Sequence, residues 1–324
     1  KSPGKSCASK METQAHKAWF MALVIFSMLV MLVVFFFNAA QPPLIDGIFE
    51  NTVSNQSRKY ALEITPSGWT FSIWGFIYAW QAVWILYSLV NLCRGTPEGP
   101  VYLCPAILPP ALFVTFILAN FCNIAWLFVF DRDIIEAAFV SLGAIAVFLI
   151  LGLVVSYRAL DAASPKLVEQ KRTVDIWLVR GFVHNGLAIY ATWCCIATLL
   201  NLAMVIRYRS DPVIGTEDAC TVALAVLSAE IVVFAITDLF FLDRYTRYTL
   251  TPYIVVVVAL IGSIDKNWED GARNSIFTAV LLGVGAAALV LKIVMLLYRH
   301  CTRTPYTSHF APTLGGYNKG GQLA

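Results

Sequence analysis

The sequence predicts an all-α integral membrane protein, a bundle of about eight transmembrane helices. Of its 324 residues, 59% are hydrophobic and only 13% are charged, about half the charged share of an ordinary soluble domain. The apolar residues fall in blocks of about 17 or more, the length that a membrane-spanning helix requires. The net charge of +3 is small and dispersed, which excludes nucleic acid as a partner.

Charged residues separate the apolar blocks and set the limits of each predicted span. Prolines lie at the starts of two of them, where the missing N–H costs little: Pro110 in the third span and Pro252 in the seventh. The seventh is the shortest. Without it the chain would have seven spans, and the last span would run in the wrong direction across the membrane. The spans are Trp19–Asn38, Trp69–Cys93, Leu108–Phe130, Ala137–Tyr157, Gly181–Ile206, Ala219–Leu242, Tyr248–Ile264 and Asn274–Tyr298.

Lysine and arginine indicate the orientation of the bundle. Fifteen of the 23 lie on the side that holds both termini and only seven on the other side, so both termini are predicted to be cytoplasmic. The sequon Asn55-Gln56-Ser57 then lies outside, and Asn55 is the predicted glycosylation site of a glycoprotein. The predicted organisation is a cytoplasmic segment 1–18, a five-helix core 19–206, three additional helices 207–298 and a flexible cytoplasmic tail 299–324.

The eight cysteines show no metal-ligand spacing and are expected to be structural thiols. Cys93 and Cys104 flank one short loop, but the charge count places that loop in the cytoplasm, where thiols stay reduced. Cys7 and Cys301 lie on the same side, where acylation is an alternative to a free thiol. The tail after residue 301 is glycine-rich and poor in apolar residues, so it is predicted to be disordered.

The second span is unusually rich in tryptophan, with Trp69, Trp74, Trp80 and Trp84. An interfacial aromatic belt is the usual fate of such residues. The fifteen residues from Trp69 to Trp84 rise about 22 Å, however, so the four rings cannot share one interface. Lipid-facing or packing roles and the lining of an aromatic cavity both remain open.

Polar and aromatic residues also accumulate in the third and fifth spans. Hydrogen bonding between helices is one explanation for an amide within hydrocarbon. Depth suggests a binding site as the alternative, because the orientation places six of the singled-out residues in the outer half, beneath the long external loop Ala39–Gly68. Aromatic walls with a few convergent amides under a lid favour a flat apolar ligand. The six are Trp69, Trp74, Asn123, Trp126, Trp193 and Asn201.

Three segments together carry a family resemblance: ITPSGWTFSIWGFIY (Ile64–Tyr78), NIAWLFVF (Asn123–Phe130) and IYATWCCIATLLN (Ile189–Asn201). They resemble the TspO/MBR family of tryptophan-rich sensory proteins, also called the translocator-protein family, and are most similar to its longer branch, here with three additional C-terminal helices. The resemblance covers roughly Trp19–Ile206. It implies a five-helix TspO-like core that binds tetrapyrroles, sterols or synthetic aromatic ligands beneath the first loop.

The resemblance also implies a set of ligand-binding residues. After Asn201 the sequence lacks the tyrosine of the animal cholesterol-recognition pattern, so sterol binding is not expected at that place. A similar pattern at Leu242–Arg247 has the character of an ordinary basic, aromatic helix end. The implied ligand-binding residues are Trp69, Trp74, Tyr78, Asn123, Trp126, Tyr190, Trp193 and Asn201.

The additional helices contain the residue that is most costly in a membrane. Glu230 lies at the middle of the sixth span, where a charged acid costs roughly 2.5–3.5 kcal/mol. It therefore needs a proton or a partner. Asp238 lies about 12 Å nearer the cytoplasm on a similar helical face, and His184 and Lys292 are the candidates to meet the two acids. A neutral, hydrogen-bonded Glu230 and a proton or ion path through Glu230, Asp238 and His184 are the alternatives.

Two functions follow from these observations. The first is a protein that binds, and transports or senses, a hydrophobic planar ligand. The second is a proton- or ion-coupled transporter or channel that uses Glu230 and Asp238. An enzyme is not expected, because no catalytic set, phosphate loop or metal cluster can be assembled. Membrane lipid and a hydrophobic small molecule are the expected partners, homo-oligomerisation stays open, and a plasma-membrane or endomembrane location is favoured over a mitochondrial one.

Overall fold

The computed structural model describes residues 15–42, 44–45 and 47–302. Within these ranges the chain is a helical bundle with a single two-stranded hairpin in the loop after the second span. Cys7 and the predicted disordered tail beyond residue 302 lie outside the described residues. The helices are α1 (Ala18–Ala39), α2 (Val53–Lys59), α3 (Gly68–Cys93), α4 (Pro110–Asp131), α5 (Ile135–Glu169), α6 (Thr173–Arg209), α7 (Thr216–Phe241), α8 (Asp243–Thr246), α9 (Thr251–Asn267) and α10 (Arg273–Thr302).

Seven of these helices are long and apolar enough to cross a membrane: α1, α3, α4, α5, α6, α7 and α10. The remaining predicted span, the seventh, corresponds to α9, which has 17 residues and Pro252 in its first turn. Its length of about 25 Å lies at the lower end of what a spanning helix needs. The all-α membrane bundle predicted from the sequence is confirmed.

Two predicted boundaries were wrong. The fifth span was expected to begin at Gly181, but α6 begins at Thr173 because Asp175, read as a loop residue, is buried and accepts hydrogen bonds from Arg94 at 2.7 Å and Tyr87 at 3.0 Å. The fourth span was expected to end at Tyr157, whereas α5 continues to Glu169. Tertiary partners therefore accompany polar residues within both helices, since Asp161 in the extended part of α5 forms an ion pair with Arg244.

Helix α6 lies at the centre of the bundle and packs against α3 and α5 on one side and α7 and α9 on the other. Tyr190 and Trp193 on it are among the largest fully buried side chains. Its first part contains a π-helical segment, Val179–His184, and α7 ends in another, Thr237–Phe241. Such segments are often found at functional sites. Here they place His184 and Asp238 in the bundle interior.

The chain that leads into α3 is held against α9 by a close contact. The Ser67 backbone N–H donates to the Gly262 carbonyl oxygen at 2.9 Å, and Ser263 Oγ donates to the Ile64 carbonyl oxygen at 3.1 Å. A Cβ atom at Gly262 would come within 2.0 Å of Thr70 Oγ1. Only glycine permits this approach of the additional helices to the start of α3.

Gly262→Ala is therefore expected to destabilise the protein by about 1–3 kcal/mol, because the new methyl group must displace buried Thr70. Gly283→Ala in α10 is the matched control, since a Cβ there meets nothing within 4 Å. Thermal unfolding in detergent micelles measures both. An unchanged midpoint in Gly262→Ala would contradict the close packing.

Asn55 lies in α2, within the first long loop, and its side chain is exposed. The predicted external position of this loop gives an expected result: after expression in a eukaryotic cell, endoglycosidase should increase the mobility of the wild-type band and leave that of Asn55→Gln unchanged. Both termini should be protected from externally added protease. An accessible terminus on the outside would contradict the predicted topology.

Candidate ligand-binding site

The aromatic residues singled out in three separate helices come together in one cluster around Trp74. Its ring stacks on Trp126 at a centroid distance of 5.6 Å and on Tyr78 at 5.5 Å. The edges of Tyr190 and Trp193 approach the same ring at 6.0 and 6.3 Å. We call these five residues, from α3, α4 and α6, the aromatic cluster.

Asn123 connects the aromatic cluster by hydrogen bonds. Its Nδ2 donates to the Tyr190 hydroxyl at 2.9 Å and makes a longer contact of 3.5 Å with the Tyr78 hydroxyl. The asparagine is completely buried. Six of the eight predicted ligand-binding residues thus lie within one contact network.

The other two predicted residues lie apart from this network. Trp69 is half exposed, and its Nε1 donates to Asp265 Oδ2 on α9 at 2.9 Å. Asn201 is buried, but its Nδ2 donates to the Ala197 carbonyl oxygen in the preceding turn of its own helix at 3.0 Å. The resemblance placed both residues in the site, whereas the contacts of Trp69 join α3 to the additional helices.

Several polar atoms in the cluster region are buried without a hydrogen-bond partner among the described residues. They are Nε1 of Trp126, Nε1 of Trp193 and Oδ1 of Asn123. A buried donor or acceptor left unpaired costs about 1–3 kcal/mol, and such groups in a folded protein call for an explanation. A ligand with a hydrogen-bond acceptor beside the two indoles would supply one.

Sequence reasoning missed two rings that extend the cluster. Phe35 on α1 lies 5.3 Å from Tyr78, and Phe130 at the end of α4 stacks on Trp126 at 5.6 Å. Phe35 comes from an apolar run without a distinguishing pattern, so no signal could have found it. Phe130 is the last residue of the segment Asn123–Phe130 that carries the family resemblance, so the sequence could have indicated it.

The first long loop is fastened to the end of α4, next to Phe130. Gln56 Nε2 donates to the Phe130 carbonyl oxygen at 2.8 Å and to Asp133 Oδ1 at 2.6 Å. The Tyr60 hydroxyl donates to Asp133 at 2.8 Å, and Lys59 forms an ion pair with the same carboxylate. The loop is therefore held to the end of α4 by Asp133 and also by Asp131, which accepts hydrogen bonds from the Glu50 and Asn51 backbone N–H groups at 3.1 and 3.0 Å.

Asp133 and Tyr60, which join the loop to the end of α4, both have altered pKa values. Burial raises the pKa of Asp133, but the hydrogen bonds from Lys59, Tyr60 and Gln56 outweigh it and hold the pKa below its usual range. Burial, followed by the hydrogen bond to Asp133, raises the pKa of Tyr60 to about 12. Asp133 is thus a stable anion at neutral pH and Tyr60 a stable donor, so the loop stays fastened there.

A cavity of about 930 Å³ lies away from the aromatic cluster. Residues of α5, α6, α7, α8, α9 and α10 line it. None of the eight predicted ligand-binding residues lines it, whereas Glu230 and Asp238 do. The rings of the cluster contact one another at centroid distances from 5.5 to 6.5 Å.

The two acidic residues of the predicted sixth span, Glu230 and Asp238, lie in α7, and Asp238 has an ion-pair partner. Lys292 Nζ lies 2.7 Å from Asp238 Oδ2, and the Tyr253 hydroxyl donates to the same oxygen at 2.6 Å. His184 was a candidate to meet these acids, but it bonds Ser156 Oγ at 3.1 Å instead. The expected path through Glu230, Asp238 and His184 is therefore not joined by hydrogen bonds among the described residues.

No group of three or more His, Cys, Asp or Glu side chains within the described ranges could hold a metal ion. The fold and the site together define a polytopic α-helical membrane protein with a tryptophan-rich cluster inside its core.

The chain belongs to the TSPO-like protein family, whose model matches residues 19–296. The match continues through the additional helices, whereas the resemblance read from the sequence ended at residue 206. No curated protein and no solved structure was found to match the chain.

Proposed function

We propose that the protein binds a planar hydrophobic ligand, such as a tetrapyrrole or a sterol, at the aromatic cluster in order to transport or sense it. The observation that carries the proposal is the pair of unpartnered indole donors, Trp126 Nε1 and Trp193 Nε1, whose rings both contact Trp74. A flat ligand can stack on one ring and accept hydrogen bonds from the donors. Tetrapyrroles, with carboxylate acceptors on an aromatic ring system, match this arrangement best.

Binding requires the cluster to open. Trp74 and Trp126 are already stacked, so a flat ring between them must increase their separation by about 3.5 Å, one van der Waals contact. Trp126 and Phe130 lie on α4, to whose end the first loop is fastened. Ligand entry is therefore expected to displace this loop, which then covers the bound ligand.

The test is a fluorescence titration of the purified protein in lipid nanodiscs with protoporphyrin. Bound porphyrin would lie within a few ångströms of several indoles, so we expect saturable quenching of tryptophan emission. Empty nanodiscs supplemented with free tryptophan correct for light absorption by the porphyrin. Quenching that stays linear and equals this control would contradict the proposal.

The second candidate is a proton- or ion-coupled transporter, favoured by the fact that Glu230 and Asp238 line the same cavity. The contacts favour it less, because Lys292 already compensates the charge of Asp238. Vesicles reconstituted with wild type and Glu230→Gln separate the two functions. Proton-coupled flux that is unchanged in Glu230→Gln would exclude this candidate in the form stated.

A further inference from the structure

The cavity of about 930 Å³ lies between the core helices α5 and α6 and the additional helices α7, α9 and α10. Aliphatic and aromatic side chains form most of its wall, among them Leu153, Ile196, Leu227 and Tyr253. Ligand sites of drug-sized molecules are of this size and character. The cavity is separate from the aromatic cluster, so the function proposed for the cluster does not account for it.

One carboxyl group interrupts the apolar wall. Glu230 lies in the middle of α7, is exposed, and forms no hydrogen bond or ion pair with any of the described residues. Cys195 on α6 lines the same cavity. A carboxyl group at this depth is costly unless something pairs with it. Because the described chain supplies no partner, the cavity has one acidic group free to meet a ligand.

A second acidic atom of the wall is also unpartnered. Asp238 is almost completely buried, and its Oδ1 has no hydrogen-bond partner among the described residues, although its Oδ2 binds Lys292 and Tyr253. The described residues therefore supply hydrogen-bond donors to Asp238 Oδ2 but none to Asp238 Oδ1 or to the Glu230 carboxyl group. This excess favours a ligand that carries donors and positive charge.

Arg158 is the basic residue of the wall. It follows Tyr157, whose hydroxyl bonds Thr249 Oγ1 at 2.9 Å. No ion pair joins Arg158 to Glu230 among the described residues, so the arginine leaves the Glu230 carboxyl available to a ligand.

We propose that this cavity is a binding site for a cationic amphiphile, a molecule with an apolar body and one basic amine whose ammonium group pairs with Glu230. The apolar body would fill the space between the core and the additional helices. An acyl chain of a membrane lipid is the competing occupant, but it offers nothing to the Glu230 carboxyl. The two occupants differ in whether a positive charge matters for binding.

The test compares two probes of equal shape in lipid nanodiscs: a tritiated tricyclic compound with a dimethylaminopropyl side chain, and its neutral isostere in which an isopropyl group replaces the dimethylamino group. Wild type is expected to bind the amine more tightly. Glu230→Gln should weaken amine binding on the order of 10- to 100-fold, the value of a charge-assisted hydrogen bond, and leave the isostere unaffected. Glu217→Gln, which removes an exposed acid from the same helix, is the matched control and should change neither.

Three results would overturn the proposal: no saturable binding of the amine, equal affinity of wild type for the two probes, or an amine preference that survives in Glu230→Gln. Equal affinity would assign the cavity to a lipid chain. Trp193→Leu should leave amine binding intact, so a failure of the proposed function at the aromatic cluster is distinguishable from a failure of this site.

A second variant tests the proposal if Glu230→Gln fails to fold. Ala229 lines the cavity, and Ala229→Trp is expected to fill part of it and abolish binding of both probes. Ala225→Trp, an exposed alanine on the same helix that does not line the cavity, should bind both normally. The amine should also protect Cys195 of the wild type from a lipophilic maleimide, read by mass spectrometry. Normal binding in Ala229→Trp together with unprotected Cys195 would place the amine elsewhere and overturn the proposal.

Discussion

Replacing Trp193 by leucine is expected to weaken porphyrin binding by about 2 kcal/mol or more, roughly 30-fold, because central buried aromatic residues dominate the affinity of such sites. Trp193 is completely buried, contacts Trp74 and Phe71, and carries one of the unpartnered indole N–H groups. Trp126→Leu should have a similar effect for the same reason. The fluorescence titration described above gives the dissociation constants.

Trp268→Leu is the matched control for these two variants. Trp268 is half exposed beyond the end of α9, and its Nε1 binds Asp270 at 2.8 Å. Emptying a large aromatic volume can itself cost about 3–5 kcal/mol, so each variant also needs an unfolding curve. Equal losses of binding in all three would indicate misfolding. Unchanged binding in Trp126→Leu and Trp193→Leu would remove the site from the cluster.

The largest effect on stability is expected from Lys292→Met. Lys292 and Asp238 are both almost completely buried, so removing the lysine leaves a charge within the bundle without its counter-ion. Breaking one partner of a buried ion pair costs about 3–5 kcal/mol. The double variant Lys292→Met with Asp238→Asn should recover most of this loss, because asparagine keeps an acceptor for Tyr253 without the charge.

Arg244→Met provides the control, since the Arg244–Asp161 ion pair lies at the surface and such pairs contribute about 1 kcal/mol or less. Chemical unfolding in mixed micelles compares these three variants with wild type. A loss in Lys292→Met no larger than in Arg244→Met would contradict a structural role for the pair. Failure of the double variant to recover would show that the lysine acts through another contact, such as the Thr246 carbonyl oxygen at 3.1 Å.

The spans could be predicted because continuous apolar sequence has few other fates in a long chain. The convergence of Trp74, Trp126 and Trp193 could be anticipated as well, since their motifs lie at similar predicted depths. Polar residues within helices could not be placed in this way. Asp175 is held inside α6 by Arg94 and Tyr87, which are more than 80 residues away.

The pairing of residues far apart in the sequence and the volume of the cavity could not be predicted from the sequence either. Lys292 was one of two candidates to meet the acids of α7, and only the fold decides that it reaches Asp238 while His184 turns to Ser156. The size of the space between core and additional helices depends on how closely the side chains of five helices pack. No local pattern encodes that packing, so the large cavity was not foreseen.

Photolabelling tests most directly whether the planar ligand binds at the aromatic cluster. A planar aromatic ligand that carries a diazirine is bound to the protein in nanodiscs and irradiated, and the adducts are mapped by mass spectrometry. We expect adducts in peptides that contain residues 71–78, 123–130 and 189–193, and their loss when excess protoporphyrin is present. Adducts confined to residues 227–246 on the wall of the large cavity, or adducts insensitive to porphyrin, would contradict binding at the aromatic cluster.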